Sequence, residues 1–111
     1  MRIFVDDIRT PKTKGDWIIV RSYEEAIRII KERGFPSFIS FDHDLGMKNG
    51  GIAKSGYDLA KWIVNADIEK EIDIPVDFSF NVHSANPVGK KNIEDLLNRY
   101  LKFKFPQRGK R

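Results

Sequence analysis

Cysteine is absent from the 111 residues, which excludes thiol catalysis and zinc-thiolate sites and removes any disulfide argument for secretion. No apolar run approaches the roughly 20 residues of a membrane span, so no membrane insertion is expected. The chain passes from Met1-Arg2 straight into a short apolar run, so no signal peptide is expected and the cytosol is the expected compartment. Internal repeats and low-complexity segments are also missing. What is there is ordinary for a folded chain: a hydrophobic fraction of 41% and a charged fraction of 32%, far from a disordered composition. The length suits one domain.

Acidic residues are missing after position 101, where Lys102, Lys104, Arg108, Lys110 and Arg111 follow one another. Positions 1–101 hold 15 basic and 16 acidic residues, so the net charge of +4 belongs to the tail. The expected organisation is one domain over 1–101 and a basic tail over 102–111. Such a tail can follow an RNA phosphate backbone; a solvated, frayed terminus is the plainer reading.

Apolar runs alternate with helical patterns. Arg2-Ile-Phe-Val5 ends in Asp6-Asp7, residues 9–16 read as loop, and Trp17-Ile-Ile-Val20 is a second strand. Ser22 and Glu25 have capping-box spacing, and Tyr23, Ala26, Ile27 and Ile30 share a helical face until Gly34 and Pro36 stop it. Phe38-Ile-Ser-Phe41 is a third strand ending in Asp42-His43-Asp44. Gly46, Gly50, Gly51 and Gly56, with Lys48 and Lys54, make a flexible connection or a lid before a helix from about Tyr57. Val76, Phe78, Phe80 and Val82 alternate with polar residues up to His83, which predicts an edge strand with one polar face. Asn86-Pro87 then opens a helix with the stripe Ile93, Leu96, Leu97, Tyr100 and Leu101. Trp17, Trp62 and the phenylalanines are assigned to the core.

Strands joined by helices pair in parallel, so their C-terminal ends gather at one sheet edge, where open α/β sheets bind ligands. That edge collects Asp6, Asp7, Asp42, His43, Asp44, His83 and Ser84. Adjacent carboxylates raise one another's pKa unless a cation compensates them. Oxygen donors without thiolates suit Mg²⁺, Mn²⁺ or Ca²⁺ better than Zn²⁺, with Asp7 and Asp42 as direct ligands. His43 is open between general base, metal ligand and structural residue, and strand alternation puts it opposite Asp42. The turn enforced by Asn86-Pro87 presents His83 and Ser84 at the edge. The first-turn amides of Val88, Gly89 and Lys90 favour an anion, with Lys90 and Lys91 adding charge; an ordinary capped helix is the alternative. Arg9 either forks onto a phosphate or neutralises Asp6.

These residues resemble the receiver domains of two-component signalling. Asp6-Asp7 matches their acidic pair, Asp42 the phospho-accepting aspartate, Asp44 the position giving a carbonyl to magnesium, and Ser84-Ala85 the Ser/Thr-Ala after the fourth strand. The stretch 8–16 is too short and too rich in Pro, Gly and Lys for the usual first helix. Gly46 replaces the customary proline, and no fifth strand with its lysine follows. These departures resemble a narrower family, the cyclic-phosphate-processing receiver-like domains of phage and bacterial genomes. Its motifs stand here as Val-Asp-Asp-Ile-Arg-Thr-Pro11, Ser-Phe-Asp-His-Asp-Leu-Gly46, Ser-Gly-Tyr-Asp58, and Val-His-Ser-Ala-Asn-Pro-Val-Gly89.

The resemblance implies a small three-layer α/β fold of flavodoxin-like topology, strand order 2-1-3-4, lacking the first helix and fifth strand. It also implies a phosphoesterase acting on a cyclic phosphate, such as the 2′,3′-cyclic phosphate of RNA or a nucleotide derivative. In that reading Asp7 and Asp42 hold Mg²⁺ or Mn²⁺, Asp6 helps through its water shell, and His83 or His43 moves protons. Arg9, Ser84 and the helix start at Asn86, Gly89 and Lys90 bind phosphate, and Asp42 is alternatively a nucleophile. The rival expectation is a non-enzymatic module that binds metal and phosphate, or is phosphorylated at Asp42.

Overall fold

The computed structural model describes residues 1–48, 51–52 and 54–108, with 47–48 and 51–52 described as backbone only. Along the chain come β1 (Arg2–Val5), β2 (Trp17–Val20), α1 (Tyr23–Arg33), β3 (Phe38–Phe41), β4 (Met47–Lys48), β5 (Gly51–Ile52), α2 (Gly56–Ile68), β6 (Ser79–Val82) and α3 (Pro87–Lys104). The four longer strands form an all-parallel sheet in the order β2-β1-β3-β6, which is 2-1-3-4 when only its own strands are counted.

Alternation gives the sheet two unlike faces. Ile3, Val5, Val20, Ile39, Phe41 and Val82 join Ile30 of α1, Leu59 and Ile63 of α2, and Ile93 and Leu97 of α3 in one buried cluster. Among the described residues, every helix packs into this cluster. The opposite face carries Arg2, Phe4, Trp17, Phe38, Ser40 and Asn81, and residues 9–13 lie against it. The third layer expected from the resemblance is therefore a loop rather than helices. Pro11 and Gly15 account for this, since neither sits well in a short helix. Trp17, expected in the core, lies half-buried on this loop-covered face and donates from Nε1 to the Thr13 carbonyl at 3.2 Å.

Local chemistry sets the element ends. Ser22 Oγ accepts the Glu25 N–H at 3.1 Å, while Glu25 reaches back to the Arg21 N–H at 2.7 Å. Gly34 ends α1 at φ 90°, a conformation glycine adopts without strain. Ser55 and Asp58 form a capping box that starts α2 at Gly56. The glycine-rich connection forms the β4–β5 antiparallel hairpin, and Gly50 falls outside the described residues.

Two expected boundaries move. The edge strand begins at Ser79 rather than Val76, because the Phe78 N–H turns back to the Pro75 carbonyl at 3.1 Å and leaves Val76 59% exposed. The last helix runs past 101 to Lys104. There Lys104 Nζ reaches the buried Asp67 at 2.8 Å and Asp73 at 3.1 Å, and the Tyr100 hydroxyl also donates to Asp67. A buried carboxylate requires such partners. Arg108 donates to the Phe78 carbonyl, so Lys104 and Arg108 belong to the body of the domain. Lys110 and Arg111 lie outside the described residues.

Candidate functional site

The parallel ladder extends one residue beyond each of three strands. Asp6 N–H bonds the Val20 carbonyl at 3.1 Å, Asp42 N–H the Val5 carbonyl at 2.9 Å, and His83 N–H the Phe41 carbonyl at 2.8 Å. Period-two alternation then carries Phe4 to Asp6, Ser40 to Asp42 and Asn81 to His83 along the loop-covered face. One ligand atom from each of Asp6, Asp42 and His83 lies within 4.8 Å of the others.

Asp6 is fully buried and Asp42 is 5% exposed. Asp6 Oδ1 accepts the N–H groups of Ile8 at 3.0 Å and Arg9 at 2.8 Å, which folds the acidic pair into a tight turn. Arg21 pins that turn by donating to the Asp6 carbonyl at 3.1 Å. Asp6 Oδ2 faces Arg9 Nε at 2.8 Å and His83 Nε2 at 2.9 Å, so its four lone-pair directions are all engaged. Burial by itself pushes the Asp6 carboxyl up, but those N–H groups, His83 and the guanidinium more than offset it and hold the group below its ordinary value.

Arg9 spans the two carboxylates, with Nη2 3.2 Å from Asp42 Oδ2. Burial lowers its pKa, and the contacts with Asp42 and Asp6 outweigh this and raise it. The guanidinium thus bridges the two carboxylates and supplies positive charge between them. Two carboxylates and an imidazole are a donor set that fits Mg²⁺ or, with its greater tolerance of nitrogen, Mn²⁺.

His83 is held at three points, by Asp6, Ser40 and Phe4. Its ring stacks on Phe4 at 4.5 Å and 4°. Its Nδ1 lies 2.7 Å from Ser40 Oγ, which lies 2.5 Å from Asn81 Oδ1. The chain accommodates two proton arrangements. If Asn81 presents oxygen to Ser40, both His83 nitrogens carry protons. If it presents its NH₂, Ser40 donates to Nδ1 and a neutral His83 donates to Asp6. The sequence marks Ser40 and Asn81 only as strand residues. The signal that could have marked them is Ser40 interrupting an apolar run two residues before Asp42.

The other expected residues are distributed around this centre. Asp7 lies at the turn of Gly46, whose φ is +81° and where an added Cβ would sit 2.8 Å from Asp7 Oδ2; it is not in the three-residue cluster. His43 falls on the helix side, as alternation predicts, with Nδ1 2.9 Å from the exposed Asp44, and its ring packs against Gly89. Gly56 lets α2 start against the Asp42 carbonyl and donates its N–H to the His43 carbonyl at 2.8 Å. Ser84 Oγ accepts the Asn86 N–H at 3.0 Å. Asn86 caps α3 by accepting the Gly89 N–H at 2.9 Å on its side chain and the Lys90 N–H at 2.9 Å on its carbonyl. Those two amides are therefore committed to the cap, and the cation that bridges Asp6 and Asp42 is the exposed Arg9.

A four-stranded parallel sheet with acidic residues at its carboxyl edge defines the receiver-like class of α/β proteins. More narrowly, residues 1–99 match the cyclic-phosphate processing receiver domain, and the chain belongs to that family. Comparison with curated proteins and with solved structures gave no match.

Proposed function

We propose that the domain opens a cyclic phosphodiester, such as a 2′,3′-cyclic phosphate on a nucleotide or RNA end, by metal-assisted hydrolysis. The observation that carries this reading is His83, an imidazole held between Asp6 and Ser40 in contact with the acidic centre. A module that only accepts phosphate on Asp42 has no use for a proton carrier there, whereas P–O cleavage near neutral pH does. Asp42, with Asp6 beside it, would hold Mg²⁺ or Mn²⁺; Asp7 and Asp44 lie further out along the same edge. When bound, the ion supplies charge to the phosphoryl oxygens and acidifies water.

The rest falls to the chain's own groups. Arg9, 47% exposed at its side chain, leaves the carboxylates to fork onto the phosphate, with Ser84 at the adjacent turn. Once Asp6 turns away, His83 gives its Nε2 proton to solvent and rests as the Nδ1–H tautomer, donating to Ser40 as Ser40 donates to Asn81, so that Nε2 can take the proton of the attacking water. The water oxygen bonds to phosphorus, one ribose oxygen leaves, and His83 returns the proton to it. Ser40 and Asn81 hold the ring during both transfers.

The test is turnover of 2′,3′-cyclic and 3′,5′-cyclic nucleotides and RNA cyclic ends with Mg²⁺ or Mn²⁺. Activity should fall at least about a hundredfold in Asp42→Asn and His83→Ala. No turnover across the panel, with metal binding intact, would overturn the proposal.

A further inference from the structure

The loop-covered face of the sheet carries an open cavity of about 430 Å³ next to the acidic centre. Phe4, Trp17 and Phe38 form its aromatic wall, with Trp17 edge-on to Phe4 at 5.8 Å and to Phe38 at 5.9 Å. Arg2 lies over the Trp17 ring at 4.3 Å. Arg2, Arg9 and Lys12 all line the cavity, and among the described residues lining it none is acidic. His83 and Arg9 belong at once to this cavity and to the centre around Asp6.

We infer that this cavity is the nucleobase subsite of the enzyme, so that the substrate is a nucleotide unit rather than a bare sugar phosphate. The inference rests on the proposed reaction for the position of the phosphate, at Arg9, but the cavity's own chemistry selects the occupant. A base is flat and aromatic, it carries a phosphate a few bonds away, and the cavity offers aromatic edges, the Arg2 guanidinium and the cationic side chain of Lys12. Ser40 and Asn81 provide hydrogen-bonding groups along the sheet floor. The volume matches small-ligand pockets. The loop of residues 9–13 thus takes the place of a covering helix and forms one wall of a binding site.

Equilibrium binding separates this inference from the proposed reaction. In the full chain carrying Trp62→Phe, so that Trp17 alone reports, and Asp42→Asn, so that nothing turns over, adenosine 2′,3′-cyclic phosphate should quench Trp17 fluorescence. It should bind about tenfold or more tighter than the abasic 1-O-methylribose 2,3-cyclic phosphate. Trp17→Ala, titrated by calorimetry because it removes the fluorescent reporter, should remove that preference. Because that change can disturb folding, Lys12→Glu at the exposed rim is the second variant and should weaken nucleotide binding severalfold while the fold, read by circular dichroism, stays intact. A short RNA ending in the same cyclic nucleotide distinguishes sources. Tighter binding of the RNA assigns the base to a chain end, and equal binding assigns it to a free nucleotide. Equal affinity for the nucleotide and the abasic compound would overturn the subsite even if both are hydrolysed. Base-dependent binding without hydrolysis in the wild type would uphold the subsite and sink the reaction.

Discussion

Gly56 and Gly89 set how closely two helices approach the acidic edge. An alanine in place of a helical glycine usually stabilises by up to about 1 kcal/mol. At Gly89 the added Cβ would lie 2.3 Å from the His43 ring, well inside any real contact. Gly89→Ala should therefore destabilise, by about 1–3 kcal/mol, as overpacked sites do, in a urea titration. At Gly56 the obstacle is the Asp42 carbonyl at 2.0 Å, and backbone yields less than a ring. Gly56→Ala should cost more than Gly89→Ala, and the reverse order would show that α2 shifts freely. Arg9 gives a second prediction at this scale. Its guanidinium and a divalent cation compete for the same carboxylates, so Arg9→Gln should tighten Mn²⁺ binding about tenfold while lowering stability. Electron paramagnetic titration with Mn²⁺ reads this directly, and unchanged affinity would show that the two do not compete.

At the scale of elements, the cluster around Asp67 joins the end of α2, the turn before β6 and the end of α3. Burial pushes the Asp67 carboxyl up, and the Ile74 N–H, Lys104 and Tyr100 more than offset it, leaving the group below its ordinary value. Burial and the Asp67 carboxylate push the Tyr100 phenol up to about 12, and the carboxylates of Asp67 and Asp73 raise Lys104 against its own burial. A raised folded pKa means stability that is complete below the unfolded value and lost as pH climbs through the folded one. The Tyr100 contribution should therefore be present at pH 9 and disappear between about 10 and 12, with a shallower loss in Tyr100→Phe. On the acid side, the Asp67 contribution is held above its ordinary value near 3.8 and fades as pH falls below it. Denaturant midpoints across pH check both limbs. Deletion of 102–111 removes Lys104 and should destabilise the domain by about 3 kcal/mol or more, because it leaves Asp67 buried without its cation. A shorter deletion after Arg108 avoids this, and is the one that isolates the tail's proposed RNA contact through its salt dependence.

For the molecule as a whole, the gathering of Asp6, Asp42 and His83 at one edge was legible because each of these strands is a short run with an apolar face ending in polar residues, while the strand order followed from the family resemblance. The same alternation correctly set His43 on the other face. What the chain alone did not disclose is which partner each group takes. The Arg9 bridge and the commitment of the Gly89 and Lys90 amides to Asn86 depend on distances across segments far apart in sequence. Nor did hydrophobicity show that Trp17 faces a loop rather than a helix, since an apolar residue satisfies either. That one-sided architecture bears on the rival reading, a phosphate-accepting signal module. Signalling through a phosphorylated aspartate requires an element whose two positions the phosphate can bias. Here α2 is anchored to the Asp42-His43 backbone through Gly56, and Ser84 Oγ is held by the Asn86 N–H. Incubation with a small acyl-phosphate donor and Mg²⁺ should therefore leave no lasting adduct on Asp42 in intact-mass spectra, and His83→Ala should not uncover one. A stable phosphoryl adduct on the wild-type protein, lost in Asp42→Asn, would transfer the site from hydrolysis to signalling and make His83 a structural residue of the sheet edge.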